Sequence, residues 1–374
     1  MTNQPERPIS GATVAEQPVD RERQVLERIA RSGGRAVFRD PRVTMAHGAG
    51  GKASRNLIEG LFLPLLGSAA LDELGDCGIV RLGPMGLALT TDSFVVKPLA
   101  FPGGSIGSLA VNGTLNDLAV GGARPVALTL AMVLEEGLPA KVLTREVEAI
   151  AHCARAAGVE IVAGDTKVVE RGHADGLYLS TTGLGVLDPR ADLSPRSPRP
   201  GDRILVSGSI ADHGTAILLA RGEFELDGEI ASDTRSLWPA VDALLDAAGP
   251  HLRVLRDATR GGVASALNEL ARASGTCIVV HDAHLVVRPA VAGACEILGI
   301  DPMYVANEGK LVAFVAPEGA DAALAALRRV EGCEEATDIG SVQPDPPGLV
   351  LVETAFGSRR VLDLLVGDPL PRIC

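Results

Sequence analysis

Four prolines, Pro189, Pro195, Pro198 and Pro200, fall within residues 188–200. Proline fixes φ and removes a backbone donor, so neither a helix nor a central strand runs through such a segment. The segment therefore divides the chain. On each side of it, short apolar runs alternate with turns built on glycine, and the chain carries 43 glycines in all. A length of 374 residues fits two domains at about 100–200 residues each. The expected organisation is a mobile polar extension over 1–42, a first domain over 43–187 and a linker over 188–200. A second, α+β domain over 201–345 follows, then a strand pair and tail over 346–374.

Apolar periodicity predicts helices over 54–66, 106–120, 145–157, 262–273, 290–298 and 320–330, with a further helix starting at 214. It predicts strands over 87–91, 125–134, 160–163, 177–186, 203–207, 277–281 and 311–315, and a final pair over 349–353 and 360–365. The fold class is α/β plus α+β. Within the extension, 15–31 also suits a surface helix.

Charge and composition exclude several functions. A net charge of −12 with no basic block opposes binding to a phosphate backbone, and 3% aromatic residues provide few surfaces for stacking bases. No apolar run approaches the roughly 20 residues that span a bilayer. The six cysteines form no C-x-x-C pair and no secretory leader precedes them, which points to the reducing cytoplasm. The seven histidines show no zinc-ligand spacing.

Four constellations are left to carry chemistry. His47-Gly-Ala-Gly-Gly-Lys52 precedes a helix, the setting in which backbone amides cradle phosphate, although Ala46 and Ala53 depart from a Walker A loop. A flexible turn with a solvated lysine is the plainer alternative. Asp92 and Asp165 close apolar strands, and Asp117 lies on a helix whose Ser108, Asn112 and Asn116 form one polar stripe. A few aspartates with nucleotide phosphates suffice for magnesium, and caps or turns are what single aspartates more often serve. Asp257-Ala-Thr-Arg-Gly-Gly262 and Asn307-Glu-Gly-Lys310 suit either phosphate contacts or turns. Finally, Cys374 ends the chain after Pro371-Arg-Ile. The eight residues from Gly367 reach at most roughly 25–29 Å, so a terminal thiol on this arm could visit two sites, with Arg372 favouring its thiolate and the terminal carboxylate opposing it. A chance cysteine on a frayed end is the competing reading.

Taken in order, these motifs, with Thr90-Thr-Asp-Ser-Phe94, Asn116-Asp-Leu-Ala-Val-Gly-Gly-Ala-Arg-Pro125 and Gly164-Asp-Thr-Lys167, resemble the HypE family of nickel–iron hydrogenase maturation enzymes. The resemblance runs from about Val43 to Cys374, and its most specific piece is the terminal Pro-Arg-Ile-Cys. It implies the two-domain aminoimidazole ribonucleotide synthetase-like fold with a flexible C-terminal tail, dimerisation through the first sheet, and ATP with Mg2+ as cofactors. By motif, Asp92, Asp117 and Asp165 would hold the metal. His47, Gly50, Gly51, Lys52, Asn116 and Lys167 would meet the nucleotide. Cys374 would carry the reacting group, with Glu308 and Lys52 taking part in catalysis. The implied reaction is ATP-dependent dehydration of an S-carbamoyl group on Cys374 to a thiocyanate. The implied partners are the carbamoyltransferase HypF and the HypC–HypD scaffold. Selenophosphate synthetase and thiamine-phosphate kinase share this fold, and a non-catalytic carrier would also use a terminal cysteine.

Overall fold

In a computed structural model the described residues are 25–26, 36–222, 229–367 and 373–374. The helix expected over 15–31 lies outside them save for residues 25 and 26, as do Arg372 and most of the C-terminal arm. Residues 35–374 form one compact unit.

Among the described residues, three sheets organise that unit. The first has five strands in the order β1 (Gly78–Leu82), β2 (Met85–Phe94), β7 (Leu177–Leu187), β5 (Ala123–Glu135) and β6 (Glu160–Val169). All its neighbours are antiparallel except β5 and β6. That parallel pair needs a crossover, which the helix Ala140–Ala156 provides. A short pair, β3 (Ala100–Phe101) and β4 (Gly104–Ser105), forms the second sheet. The third has seven strands, in the order β14 (Arg359–Val361), β13 (Val350–Glu353), β10 (Cys277–His281), β12 (Thr337–Gln343), β8 (Arg203–Val206), β11 (Leu311–Val315) and β9 (Leu252–Asp257).

The helix Ile106–Val120 joins the two large sheets. Thirteen of its fifteen residues are buried, and its apolar residues surround it rather than forming one stripe, the pattern of a helix enclosed by protein. One face packs on β2 and β7, where the lack of side chains at Gly113 and Gly183 leaves room for Phe94, Thr114 and Leu118. At its C-terminal end, Ala119 and Val120 enter an apolar cluster with Leu237, Leu244 and Leu255 of the second half. Among the described residues no helix is long and apolar enough to cross a membrane.

Two strands extend past their expected ends. Asp92 lies inside β2 rather than closing it, and β6 continues through Gly164-Asp-Thr-Lys167 to Val169. Gly-Asp is a common turn signal, yet here Asp165 pairs with Ala131 and Lys167 with Val133 in the parallel ladder. An edge strand tolerates such polar residues because one side of its backbone faces outward. Strands β1, β9 and β12 and the helix Trp238–Ala248 have no counterpart among the expected elements.

Candidate active site

Alternation along β2 turns Ala88, Thr90, Asp92 and Phe94 toward the helix Ile106–Val120. On the facing side of that helix, Thr114 and Asp117 meet them. Thr114 Oγ1 donates to Asp92 Oδ2 at 3.0 Å, and Thr90 Oγ1 donates to Asp117 Oδ2 at 2.8 Å. Asp92 and Asp117 stand close enough to act on each other's charge. Asp76, just before β1, and Asp257, at the end of β9, complete the group. The ligand oxygens of Asp76, Asp117 and Asp257 all lie within 4.8 Å of one another. Arg256 Nε meets Asp76 at 3.0 Å from the second half of the chain.

These acids raise one another. Burial pushes Asp76 up to about 6 despite Arg256. Burial and then the charge of Asp92 lift Asp117 well above the usual carboxylate range. Asp257 is lifted by burial and then Asp76, and Glu308, itself buried, by burial and then Asp257. Hard oxygen donors held this close, with too little positive charge to balance them, fit a divalent cation such as magnesium.

The turn after β9 shapes the next wall. Gly261 and Gly262 both take positive φ, and a Cβ on Gly262 would stand 2.5 Å from the Met303 carbonyl oxygen. Only glycine lets the turn press so close. The turn presents Arg260, whose Nη1 donates to the Gly48 carbonyl at 3.1 Å, while Ser265 Oγ donates to the Gly50 carbonyl at 3.1 Å. The glycine loop is thereby drawn onto the second half of the chain. Between loop and turn is a cavity of about 240 Å³ lined by His47, Gly48, Gly50, Asp76, Asp257 and Arg260, among others.

The chain end reaches the same place. Ile373 is buried among Phe94, Ala216, Val305 and Ala306 in one apolar cluster. Val95 N–H donates to the main-chain carboxylate oxygen of Cys374 at 3.1 Å. Arg260 is held more firmly charged by Cys374 first of all, against the cost of burial, and then by Asp92, Glu308 and Asp117. One guanidinium therefore faces both the chain end and the acidic group.

Residues 74–187 match the family model for the N-terminal domain of AIR synthase related proteins, and residues 199–352 match the model for its C-terminal domain. Carbamoyl dehydratase HypE of Rhodobacter capsulatus is 49% identical over 341 residues, which is 90% of this chain and 100% of that protein. The chain belongs to the HypE family of carbamoyl dehydratases. A crystal structure of the HypE hydrogenase maturation protein in complex with ATP is 44% identical, with a TM-score of 0.75 over 89% of this chain and 100% of that one. A crystal structure of a HypE-HypF complex is 43% identical, with a TM-score of 0.79 over 83% of this chain and 99% of that one.

The geometry differs from the HypE motif expectations in several positions. Asp92 and Asp117 stand together, but Asp165 does not join them: it is exposed on edge strand β6 and bonded to Lys167 at 2.5 Å, which holds its carboxyl below the usual range. Asn116 is not open to a nucleotide. Its amide donates to the carbonyls of Arg235 and Glu308 and its oxygen accepts from Leu237 N–H, so it braces the two halves of the chain. Lys52, exposed, pairs with Asp363 at 2.6 Å. Buried His47 bonds Asp40 at 3.1 Å and lines the cavity with Gly50. Gly51 packs against the Leu365 carbonyl. The sequence offered no pattern for Asp76, a single acid between Gly75 and Cys77. Asp257 and Arg260 lay in a motif already singled out, whose role only the fold defines.

Proposed function

We propose that this chain uses ATP to dehydrate an S-carbamoyl group on Cys374 to a thiocyanate, the source of a cyanide ligand for nickel–iron hydrogenase assembly. The observation that carries this reading is the seating of the chain end: Cys374 rests on Val95 and faces Arg260, which also faces Asp92, Asp117 and Glu308. A pure carrier would have no use for a chain end held against an arginine that also faces buried acids. The HypE relative bound to ATP supports ATP as the nucleotide, and the HypE-HypF complex supports a HypF-type carbamoyltransferase as the partner that loads the thiol. Delivery to a HypC–HypD scaffold in the cytoplasm completes the reading.

In this scheme the triphosphate lies along the cavity between the glycine loop and the 257–262 turn. Asp76, Asp117 and Asp257, with Asp92 alongside, would hold the metal. Magnesium bound there offsets negative charge on the phosphoryl oxygens. The carbamoyl oxygen attacks the γ-phosphorus and ADP departs. Arg260 stabilises the charge that gathers on the oxygens in transit. The two nitrogen protons are then removed as the carbon–oxygen bond breaks. The oxygen leaves as phosphate and the carbon–nitrogen bond becomes triple. Carbamoyl and ATP thus give thiocyanate, ADP and phosphate. Glu308, lifted by burial, is a strong base once ionised and takes a proton.

A second copy, forming a homodimer, belongs to this reading and has a surface to occupy. Strand β6 is an open edge exposing Ile161, Val162 and Val168, and Val80, Leu82, Met85 and Leu89 are exposed on the same sheet. Covering this surface with a second sheet would bury both the edge and the apolar residues. Asp165 and Lys167 would then lie at the junction of two copies.

Intact-mass measurement tests the reaction. Loaded with carbamoyl by the transferase and then given ATP and magnesium, the protein is expected to lose one water. Cys374→Ala removes the adduct. Asp92→Asn keeps it but blocks the loss of water. A wild-type adduct that stays intact with ATP would refute the reading.

A further inference from the structure

His213 has no exposed surface and lies edge-on to Phe101, their ring centroids 5.6 Å apart. Both ring nitrogens are engaged. Nε2 is 2.6 Å from the Ile373 carbonyl oxygen and Nδ1 is 2.7 Å from Ser232 Oγ. A carbonyl only accepts, so Nε2 carries the proton. Burial holds His213 below the ordinary histidine range, against the raising effects of Asp233 and the Ile373 bond. Nδ1 is therefore bare and accepts from the Ser232 hydroxyl, whose oxygen in turn accepts from Thr234 N–H at 3.2 Å. The residue after Ser232 secures the other side of the site. Asp233 accepts the N–H groups of Glu308 at 3.0 Å and Gly309 at 3.2 Å, and pairs with Lys310 at 3.0 Å. Two adjacent residues thus tie the histidine that grips the chain end to the loop that carries Glu308.

We propose that His213 is a positioning residue that latches the terminal dipeptide Ile373-Cys374, setting the sulfur-borne group in register with Glu308 and surrendering it for loading when the latch opens. The latch rests on the reaction proposed above, but its geometry can be tested separately.

Alkylation of Cys374 by iodoacetamide, scored by peptide mapping to separate it from the other five cysteines, measures how often the end is released. His213→Leu is expected to raise that rate roughly five- to tenfold, the weight of one lost hydrogen bond. His213→Gln retains an N–H donor in reach of the same carbonyl and is expected to stay within about twofold of wild type. In carbamoyl-loaded protein, single-turnover loss of water slows by a similar factor in His213→Leu and recovers in His213→Gln, while loading by the transferase does not slow. ATP affinity, measured by calorimetry, stays unchanged, which a general loosening of the fold would not allow. If His213→Leu fails to fold, Ile373→Ala carries the test, because it shortens only the side chain that anchors the tail. Wild-type alkylation rates in both variants would overturn the latch, as would a glutamine that fails to restore slow alkylation. If wild-type protein lost no water with ATP, the reaction would fall while the alkylation arm still decided the latch.

Discussion

At the scale of the residue, the acids at the junction are a liability without a cation. Asp76 has a folded pKa of about 6 against 3.8 for an unhindered aspartate. A raised carboxylate contributes stability in full below the unfolded value and loses that contribution as pH rises through the folded one. At neutral pH these groups therefore oppose folding, and Asp117 and Asp257 are shifted in the same direction. Replacing Asp117 with Asn is expected to raise the melting temperature of metal-free protein at pH 7.5 by about 2–5 °C. The gain should shrink toward pH 4, and magnesium should stabilise wild type but not the variant in scanning calorimetry. A lower melting temperature at pH 7.5 would contradict this account. The same shifts govern metal binding, because a carboxylate must lose its proton to hold the ion. ATP-dependent loss of water is thus expected to fall as pH drops below 7.5, and excess magnesium should partly restore it. Asp92 stood out in the sequence as an acid at the end of an apolar run, and Asp117 as an acid on a helix with a polar stripe. Asp76 did not, because its partner Arg256 arrives from the other half of the chain.

At the scale of the element, helix 106–120 and strands 277–281 and 311–315 could be read at their full extent, since each is a dense apolar run bounded by turn residues. Strand β6 could not. Its Gly164-Asp165 signals a turn locally, and only pairing with β5 overrides that signal. Asn116 shows a related ambiguity: a polar residue on a helix faces a ligand or another element with equal ease, and here its amide donates to the carbonyls of Arg235 and Glu308. The 257–262 turn gives the sharpest test at this scale. Gly262→Ala would bring a methyl carbon to 2.5 Å from the Met303 oxygen and 2.6 Å from that of Val305, at a φ of +61°. Gly357 has a φ of +75° but nothing within 4 Å of an added Cβ. Gly357→Ala should therefore cost about 1–2 kcal/mol for backbone strain alone. Gly262→Ala carries that strain plus the clash, about 3 kcal/mol or more, and displaces Arg260. Urea midpoints compare the two stabilities, and calorimetric titration should show ATP weakened only in Gly262→Ala. Equal midpoints would mean that the turn yields without cost.

At the scale of the whole molecule, two questions concern copies of the chain. The open β6 edge and the exposed apolar residues of the same sheet should be covered by a second copy. Val162→Glu with Val168→Glu places charge on that edge and should turn a dimer into a monomer in sedimentation velocity, with the far-ultraviolet circular dichroism of each chain unchanged. The second question is which copy's acids a given Cys374 serves. In one chain the Cys374 main-chain carboxylate is held by Val95, His213 holds Ile373, and Arg260 links that end to Asp92, Asp117 and Glu308, all from the same chain. Eight residues from Gly367 leave a reach of roughly 25–29 Å, so distance alone does not forbid a crossing. The built contacts favour action within one chain. Mixed dimers of Cys374→Ala with Asp117→Asn separate the alternatives, because each parent lacks a different component. Within one chain, the intact cysteine sits beside its own damaged acids and no thiocyanate forms. Across the dimer, that cysteine enters the undamaged acids of its neighbour and activity returns. After subunit exchange and carbamoyl loading, intact mass should show an adduct that keeps its water. Thiocyanate on the Asp117→Asn chain would mean that the seat described for Cys374 is not the one in which it reacts.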